Sequence, residues 1–224
     1  MESTKTRILK KLLETDGYLS GQELCEQLGV SRTAVWKYMK QLKEEGYEIE
    51  AVQNKGYCLK DVPDVLGESE IKSRLHTRWV GQTLYYYDEI DSTNTQIKRL
   101  GEEDAPHGPL AVADYQSRGK GRRGRAWDSP HGSAIYMSIL FRPEIRPDRA
   151  SMLTLVIGLS VTQAIRSNLG LQAQIKWPND VVLNGKKLVG ILTEMSAQMN
   201  YIEYLVTGIG INANLREFPE ELED

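Results

Sequence analysis

Two runs that read as buried strands, Leu110 to Ala113 and Ile135 to Phe141, enclose the stretch Gln116-Ser-Arg-Gly-Lys-Gly-Arg-Arg-Gly-Arg-Ala-Trp127. Within it Arg118, Lys120, Arg122, Arg123 and Arg125 put five cations into eight residues, and Gly119, Gly121 and Gly124 interrupt them. Glycine tolerates the positive φ values that a backbone needs to wrap around an anion. The guanidinium groups can then grip phosphate oxygens in pairs. A charge run is usually a solvated face, but this one is held between core strands and spaced by glycine. It points to a small phosphorylated ligand at the rim of a sheet more than to a polymer.

The 224 residues suffice for one large or two small domains, and 40% hydrophobic with 26% charged residues is a globular composition. The net charge of -3 is unevenly spread, so it says little about partners. Cys25 and Cys58 lack metal-ligand spacing and read as reduced core residues of a cytoplasmic protein. No apolar run approaches a membrane span of about 20 residues, and the polar start lacks a signal-peptide core.

In the first sixty residues, Ile8, Leu9, Leu12 and Leu13 recur at helical spacing, and Ser20 with Glu23 fits a capping box. A second helix stops at Gly29, and Ser31 caps a third that carries Val35, Met39 and Leu42 on its apolar face. This is a helix-turn-helix pattern. The third helix leaves Ser31, Arg32, Thr33, Trp36, Lys37 and Lys40 for base edges and phosphates. Tyr47 to Val52, Asn54-Lys55-Gly56 and Tyr57 to Leu59 form a hairpin, a wing with Lys55 at its tip. The plan is a winged head over residues 1–62, a linker over 63–70, and a larger body over 71–224.

In the body, Leu84 to Ile90 reads as a strand leading to Asp91-Ser92-Thr93-Asn94, a run of cap-forming types at the start of a helix through Ile97 and Leu100. A helix start offers unpaired N–H groups, although a simple cap is the default. From about Ser151 to Ile165 the chain is apolar nearly all round, which predicts a central helix packed under a sheet. Ile175-Lys176-Trp177-Pro178-Asn179-Asp180 is the second unusual stretch. There Lys176 suits burial beside a bound anion, and Asp180 suits a magnesium that arrives with a nucleotide. Asn184-Gly185 signals a type I′ hairpin, a longer hairpin pairs Leu188–Met195 with Tyr201–Gly210, and Gly208 and Gly210 admit a ligand to the backbone. The fold class is α+β, with a mixed, largely antiparallel sheet and helices on one face.

Taken together, the winged head, Asp-Ser-Thr-Asn, Gly-Lys-Gly-Arg-Arg-Gly-Arg-Ala-Trp, Lys-Trp-Pro-Asn-Asp, Lys-Leu-Val-Gly-Ile-Leu and Gly-Ile-Gly-Ile-Asn resemble the bifunctional biotin protein ligases that also repress biotin operons. The resemblance spans the whole chain in order. It implies formation of biotinyl-5′-AMP from biotin and ATP with Mg2+, then transfer of biotin to a lysine of a biotin carboxyl carrier protein. It also implies a homodimer that binds operator DNA when loaded with biotinyl-5′-AMP, and no membrane association. Carried over by position, Ser92, Thr93, Asn94, Gln116, Lys120, Gly121, Arg122 and Lys176 meet biotin. Arg118, Gly119, Arg123, Trp127 and Asn212 meet the adenylate. Lys176, Arg122 and Arg125 stabilise charge in the reaction, and Asp180 is the metal candidate. Lys120 stands where the family commonly has arginine. The expected dimer edge is Lys187 to Met195. The family continues into a small C-terminal β-barrel, whereas this sequence ends at Phe218-Pro-Glu-Glu-Leu-Glu-Asp224. A non-catalytic biotin-sensing repressor and a lipoate-type ligase are the competing readings.

Overall fold

The computed structural model describes residues 3–214, so the acidic ending at Phe218–Asp224 lies outside the described residues. The chain forms two units, Met1–His76 and Thr77–Asp224.

In the first unit α1 (Thr4–Glu14), α2 (Gly21–Leu28) and α3 (Arg32–Glu44) pack around Ile8, Leu9, Leu24, Val35, Met39 and Leu42. Ser3, Ser20 and Ser31 each cap a helix, accepting from the N–H three residues on. Gly29 ends α2 in the left-handed conformation. Strands β1 (Glu48–Val52) and β2 (Gly56–Asp61) make the wing, and a short bridge ties Leu19 to Tyr57. Gly56 has φ +110 there, and a Cβ on it would stand 2.2 Å from Leu19 O, so this closure requires glycine. One boundary differs from expectation. Helix α4 (Glu68–Arg74) belongs to the head, packs on α1, and accepts the Tyr47 hydroxyl on Glu70 at 2.6 Å. The head therefore extends through the expected linker, because the polar face of α4 hides a partner for Tyr47.

The second unit has β3 (Leu84–Ile90), α5 (Thr93–Glu102), β4 (Leu110–Gln116), β5 (Ala134–Phe141), α6 (Ala150–Leu169), β6 (Gln174–Lys176), β7 (Asp180–Leu183), β8 (Lys186–Ala197) and β9 (Ile202–Asn212). The seven strands run in the order β3-β4-β5-β9-β8-β7-β6, parallel at β3–β4 and antiparallel elsewhere. Asn184 and Gly185, both at positive φ (51 and 80), make the expected tight turn between β7 and β8. The α+β class and the mixed sheet are as the sequence suggests.

The helices, however, take both faces of the sheet. Side chains alternate along a strand, and on β8 Glu194 meets α5 through Asn94 and Lys98. Its neighbour Thr193 bonds Thr154 of α6 on the other face, at 2.8 Å. Helix α5 buries Ile97 and Leu100 against Ala111, Leu140, Tyr204 and Val206. Gly101 lets it approach closely, since a Cβ there would meet the Tyr204 ring at 2.8 Å.

Helix α6 is peripheral, contrary to the expected central helix. It buries Gly158, Val161, Thr162 and Ile165 but exposes Met152, Leu155, Val156 and Leu159. Pro147–Leu169 is also long and apolar enough, by length and composition alone, to cross a membrane, which the sequence reading overlooked. Here it lies on β8 through Gly158 beside Ile191. Strand β8 is interior, between β7 and β9, so Lys187–Met195 forms no sheet edge; β3 and β6 hold the edges.

Candidate functional site

On the α5 face the register aligns Gly190 with Gly210, Leu192 with Gly208, and Ser138 with Gly208. These glycines form a shallow floor, and side chains lie directly on it. A Cβ on Gly208 would fall 2.1 Å from Asn94 Oδ1, and one on Gly190 or Gly210 would fall 2.4 or 2.7 Å from the Trp127 indole. The sequence suggested that Gly208 and Gly210 admit a ligand; what they admit here is Asn94 and Trp127.

Ser92, Thr93, Asn94 and Gln116 are all buried at this floor. Ser92 occupies the N-cap of α5 but makes no side-chain cap bond. Gln116 Oε1 instead accepts from Thr93 N at 2.9 Å and Thr93 Oγ1 at 3.1 Å. That fixes the Gln116 amide, whose Nε2 donates to Ser129 Oγ at 3.0 Å. Ser129 passes the chain on to Trp127 O at 3.0 Å. On the other side Ser138 Oγ lies 2.8 Å from Thr93 Oγ1 and 2.6 Å from Asn94 Oδ1. Asn94 Nδ2 donates to Glu194 at 2.8 Å. Buried polar atoms without partners are costly; the side chains of Thr93, Gln116, Ser129, Ser138 and Asn94 are all paired, whereas the buried Trp127 Nε1 has no hydrogen-bond partner among the described residues.

The cationic loop rises beside this network. Ser117 N and Arg118 N donate to Ile90 O and Asp91 O, at 2.9 and 2.8 Å. Lys120 and Ala126 form an antiparallel bridge around a one-turn helix at Arg122–Gly124, where Arg123 has φ +57. Gly119 accepts Trp127 N at 2.9 Å, and a Cβ on it would lie 2.2 Å from Trp127 O. Arg118, Lys120, Arg122, Arg123 and Arg125 are exposed, while Gly121 is half-buried. Arg122 Nη1 reaches Asn179 Oδ1 at 2.7 Å, which brings the two unusual stretches of sequence together.

Lys176 is not buried. It lies on the edge strand β6, exposed, without an ion pair among the described residues. The lysine that meets the floor is Lys187, which sequence reasoning missed. Its Nζ sits 5.2 Å from the Trp127 ring centroid and 3.0 Å from Asp180 Oδ1. The signal for it lay in the register of two hairpins, which places Lys187 three residues before Gly190 on β8. Asn212 Nδ2 reaches the backbone oxygen of the same lysine, Lys187 O, at 3.4 Å. Glu194 was also missed. Burial pushes its carboxyl up, but bonds from Lys98 and Asn94, with the charges of Lys98 and Lys120, hold it below the usual carboxylate range. Asp180 is engaged by Lys187 and Asn179, and no group of three acidic, histidine or cysteine side chains among the described residues could cage a metal.

In the head, Ser31, Arg32, Thr33, Trp36, Lys37 and Lys40 are exposed along α3, and Lys55 is exposed on the wing. Arg32 is braced by Gln22 Oε1 at 2.8 Å, and Lys55 lies over the Tyr18 ring at 5.5 Å.

Residues 86–212, more than half of the chain, match the biotin/lipoate A/B protein ligase family. The chain belongs to that family. Residues 4–58 match a helix-turn-helix (HTH) domain family, so this biotin/lipoate-type ligase carries a DNA-binding type of head. The bifunctional ligase/repressor BirA of Bacillus spizizenii is 46% identical over 100% of this chain, which spans 70% of that relative. BirA of Escherichia coli is 36% identical, over 94% of this chain and 64% of its own length. Within the family the chain is thus of the bifunctional ligase/repressor kind. Among solved structures, the biotin protein ligase of Aquifex aeolicus in complex with biotin and ATP aligns with TM-score 0.53 and 39% identity, over 64% of this chain and 57% of that one.

Proposed function

We propose that the second unit condenses biotin with ATP to biotinyl-5′-AMP and passes biotin to a lysine of a biotin carboxyl carrier protein, and that the head binds operator DNA in the cytoplasm. The observation that carries this is the pairing, on one sheet face, of a buried neutral network with an exposed cationic loop. Biotin's fused rings present a neutral ureido head and its tail ends in a carboxylate. Thr93, Asn94 and Gln116 offer fixed neutral partners for the head, with Ser92 at the same helix start. Gly119 to Arg125 and Lys187 offer cations where the tail meets phosphate.

In the first step a carboxylate oxygen of biotin attacks the α-phosphorus of ATP and pyrophosphate leaves. Lys187, Lys120, Arg122 and Arg125 neutralise the charge that builds on the phosphate oxygens, which lowers the barrier without a covalent enzyme intermediate. Arg118 and Arg123 lie on the same loop for the nucleotide, and Trp127 and Asn212 form its aromatic and polar walls. In the second step the carrier's lysine amine attacks the acyl carbon and AMP leaves; the closed loop shields the anhydride from water. Lys176, exposed on the edge strand, would contribute at most to the outer phosphates. The acidic side chains do not fit a dedicated metal site, so magnesium would enter on the phosphates of ATP, with Asp180 as the carboxylate candidate, and no step is drawn through it. Relatives named as bifunctional ligase/repressors support coupling to DNA through α3 and the wing; the loaded chain would dimerise on paired half-sites.

Incubating the chain with biotin, magnesium and labelled ATP tests the catalytic half. Biotin-dependent pyrophosphate release is expected. Binding of biotin without release would leave a sensor, and release with lipoate in place of biotin would make this a lipoate-type ligase.

A further inference from the structure

Glu194 stands on β8 beside the neutral network, on the α5 face. One carboxylate oxygen accepts Asn94 Nδ2 at 2.8 Å and the other accepts Lys98 Nζ at 2.5 Å. An asparagine side chain offers one accepting oxygen and a donating NH2 group, and its two orientations differ only by a half-turn. Here the surroundings decide between them. An ionised carboxylate can only accept, so Glu194 must face Nδ2. Oδ1 is thereby turned toward Ser138, whose hydroxyl donates to it at 2.6 Å, and toward the bare backbone of Gly208. Rotated the other way, the amide would set its carbonyl against the carboxylate and strand both. Lys98 completes the arrangement, since its charge keeps Glu194 ionised and ties α5 to β8 one helical turn beyond Asn94.

We infer that Glu194 is a positioning residue of the biotin site: it locks the Asn94 amide with its oxygen on the Gly208 floor, and so fixes the neutral wall that biotin meets. Among the described residues Ser138 is the sole donor to Oδ1, so the locked amide also commits the Ser138 hydroxyl and holds that wall in one arrangement. The inference rests on the biotin reading of the site.

The test compares Glu194→Ala, Glu194→Gln and Lys98→Met with the unaltered chain, reading biotin affinity by calorimetry and adenylation kinetics. In Glu194→Ala the amide is free to turn, and the KM for biotin should rise about 10- to 100-fold, the loss of one to two hydrogen-bonded partners. The KM for ATP and kcat at saturating biotin should stay within about threefold, because Glu194 acts on recognition and not on the phosphate. Glu194→Gln keeps an amide oxygen for Asn94 Nδ2 and should recover most of the affinity, which a purely structural role would not require. Lys98→Met should fall between the two. In the double variant Asn94→Ala with Glu194→Ala the two losses should not add. Unchanged biotin KM in Glu194→Ala overturns the inference, as does a Gln variant no better than Ala or a parallel rise in the KM for ATP. Absence of biotin binding by the unaltered chain, by contrast, would overturn the biotin reading itself along with it.

Discussion

The two halves of the site solve different problems with different materials. The network from Ser129 through Gln116, Thr93 and Ser138 to Asn94 is buried, neutral, and internally hydrogen-bonded. The loop from Arg118 to Arg125 is exposed and cationic, and among its side chains Arg122 alone has a hydrogen bond among the described residues. A rigid array of neutral donors and acceptors discriminates shape and atom type, because a mismatch leaves a buried group unpaired. Exposed cations discriminate little but adapt, and they draw in anions from solution at low cost to the fold. On the proposed function, recognition of the ring head would therefore be preorganised, and neutralisation of phosphate would be assembled when the ligand arrives.

The sharpest way to break this contrast is to disturb the floor. Gly208→Val should abolish measurable biotin binding, more than about 100-fold, because its side chain must displace Asn94. Retained binding would mean that Asn94 is not a contact. Next in size, Lys187→Ala should slow adenylation about 100-fold while biotin affinity changes little, as for loss of one charge-stabilising group. Lys176→Ala, exposed at the edge, should slow it by no more than about fivefold. If Lys176 proves the larger of the two in single-turnover measurements, the assignment of the cation is reversed. Gln116→Leu should lower stability by about 1–3 kcal/mol in denaturant titration, since Thr93 N and Ser129 lose a buried partner. Arg123→Ala should leave stability within about 0.5 kcal/mol. The smallest effect concerns acid. Glu194 has its folded pKa below the ordinary value, so its contribution to stability is present above the ordinary carboxylate pKa of about 4.3 and lost as pH falls through the lowered folded value. The acid limb of the unfolding curve should flatten in Glu194→Gln.

Local chemistry made the head easy to read. Serines at three N-caps, Gly29 in the left-handed region and a turn before Gly56 each announce themselves within a few residues. Ser92, Thr93 and Asn94 read locally only as a helix cap, and Gln116 joined them through the family resemblance; the structure brings the helix start and the strand end together. The rest depended on pairing across long separations. Helix α6 is apolar nearly all round, and nothing in such a pattern says which side faces the sheet or that Met152, Leu155, Val156 and Leu159 stay exposed. That Lys187 meets the floor is set by the register of β7, β8 and β9, while Lys176 is carried to the sheet edge by its place on β6. The placement of β8 inside the sheet, and of α5 and α6 on opposite faces, likewise follows from connections that no local motif encodes.

The division of labour between the two halves can be measured directly by titrating the chain with biotin methyl ester, which is neutral, and with biotinyl-5′-AMP at about 50 and 500 mM salt. Screening weakens exposed charge contacts and leaves buried neutral hydrogen bonds nearly untouched. The predicted result is a dissociation constant for the ester that changes less than about threefold, beside one for the adenylate that rises more than about tenfold. Equal salt dependence for the two ligands, or a stronger dependence for the ester, would contradict the account.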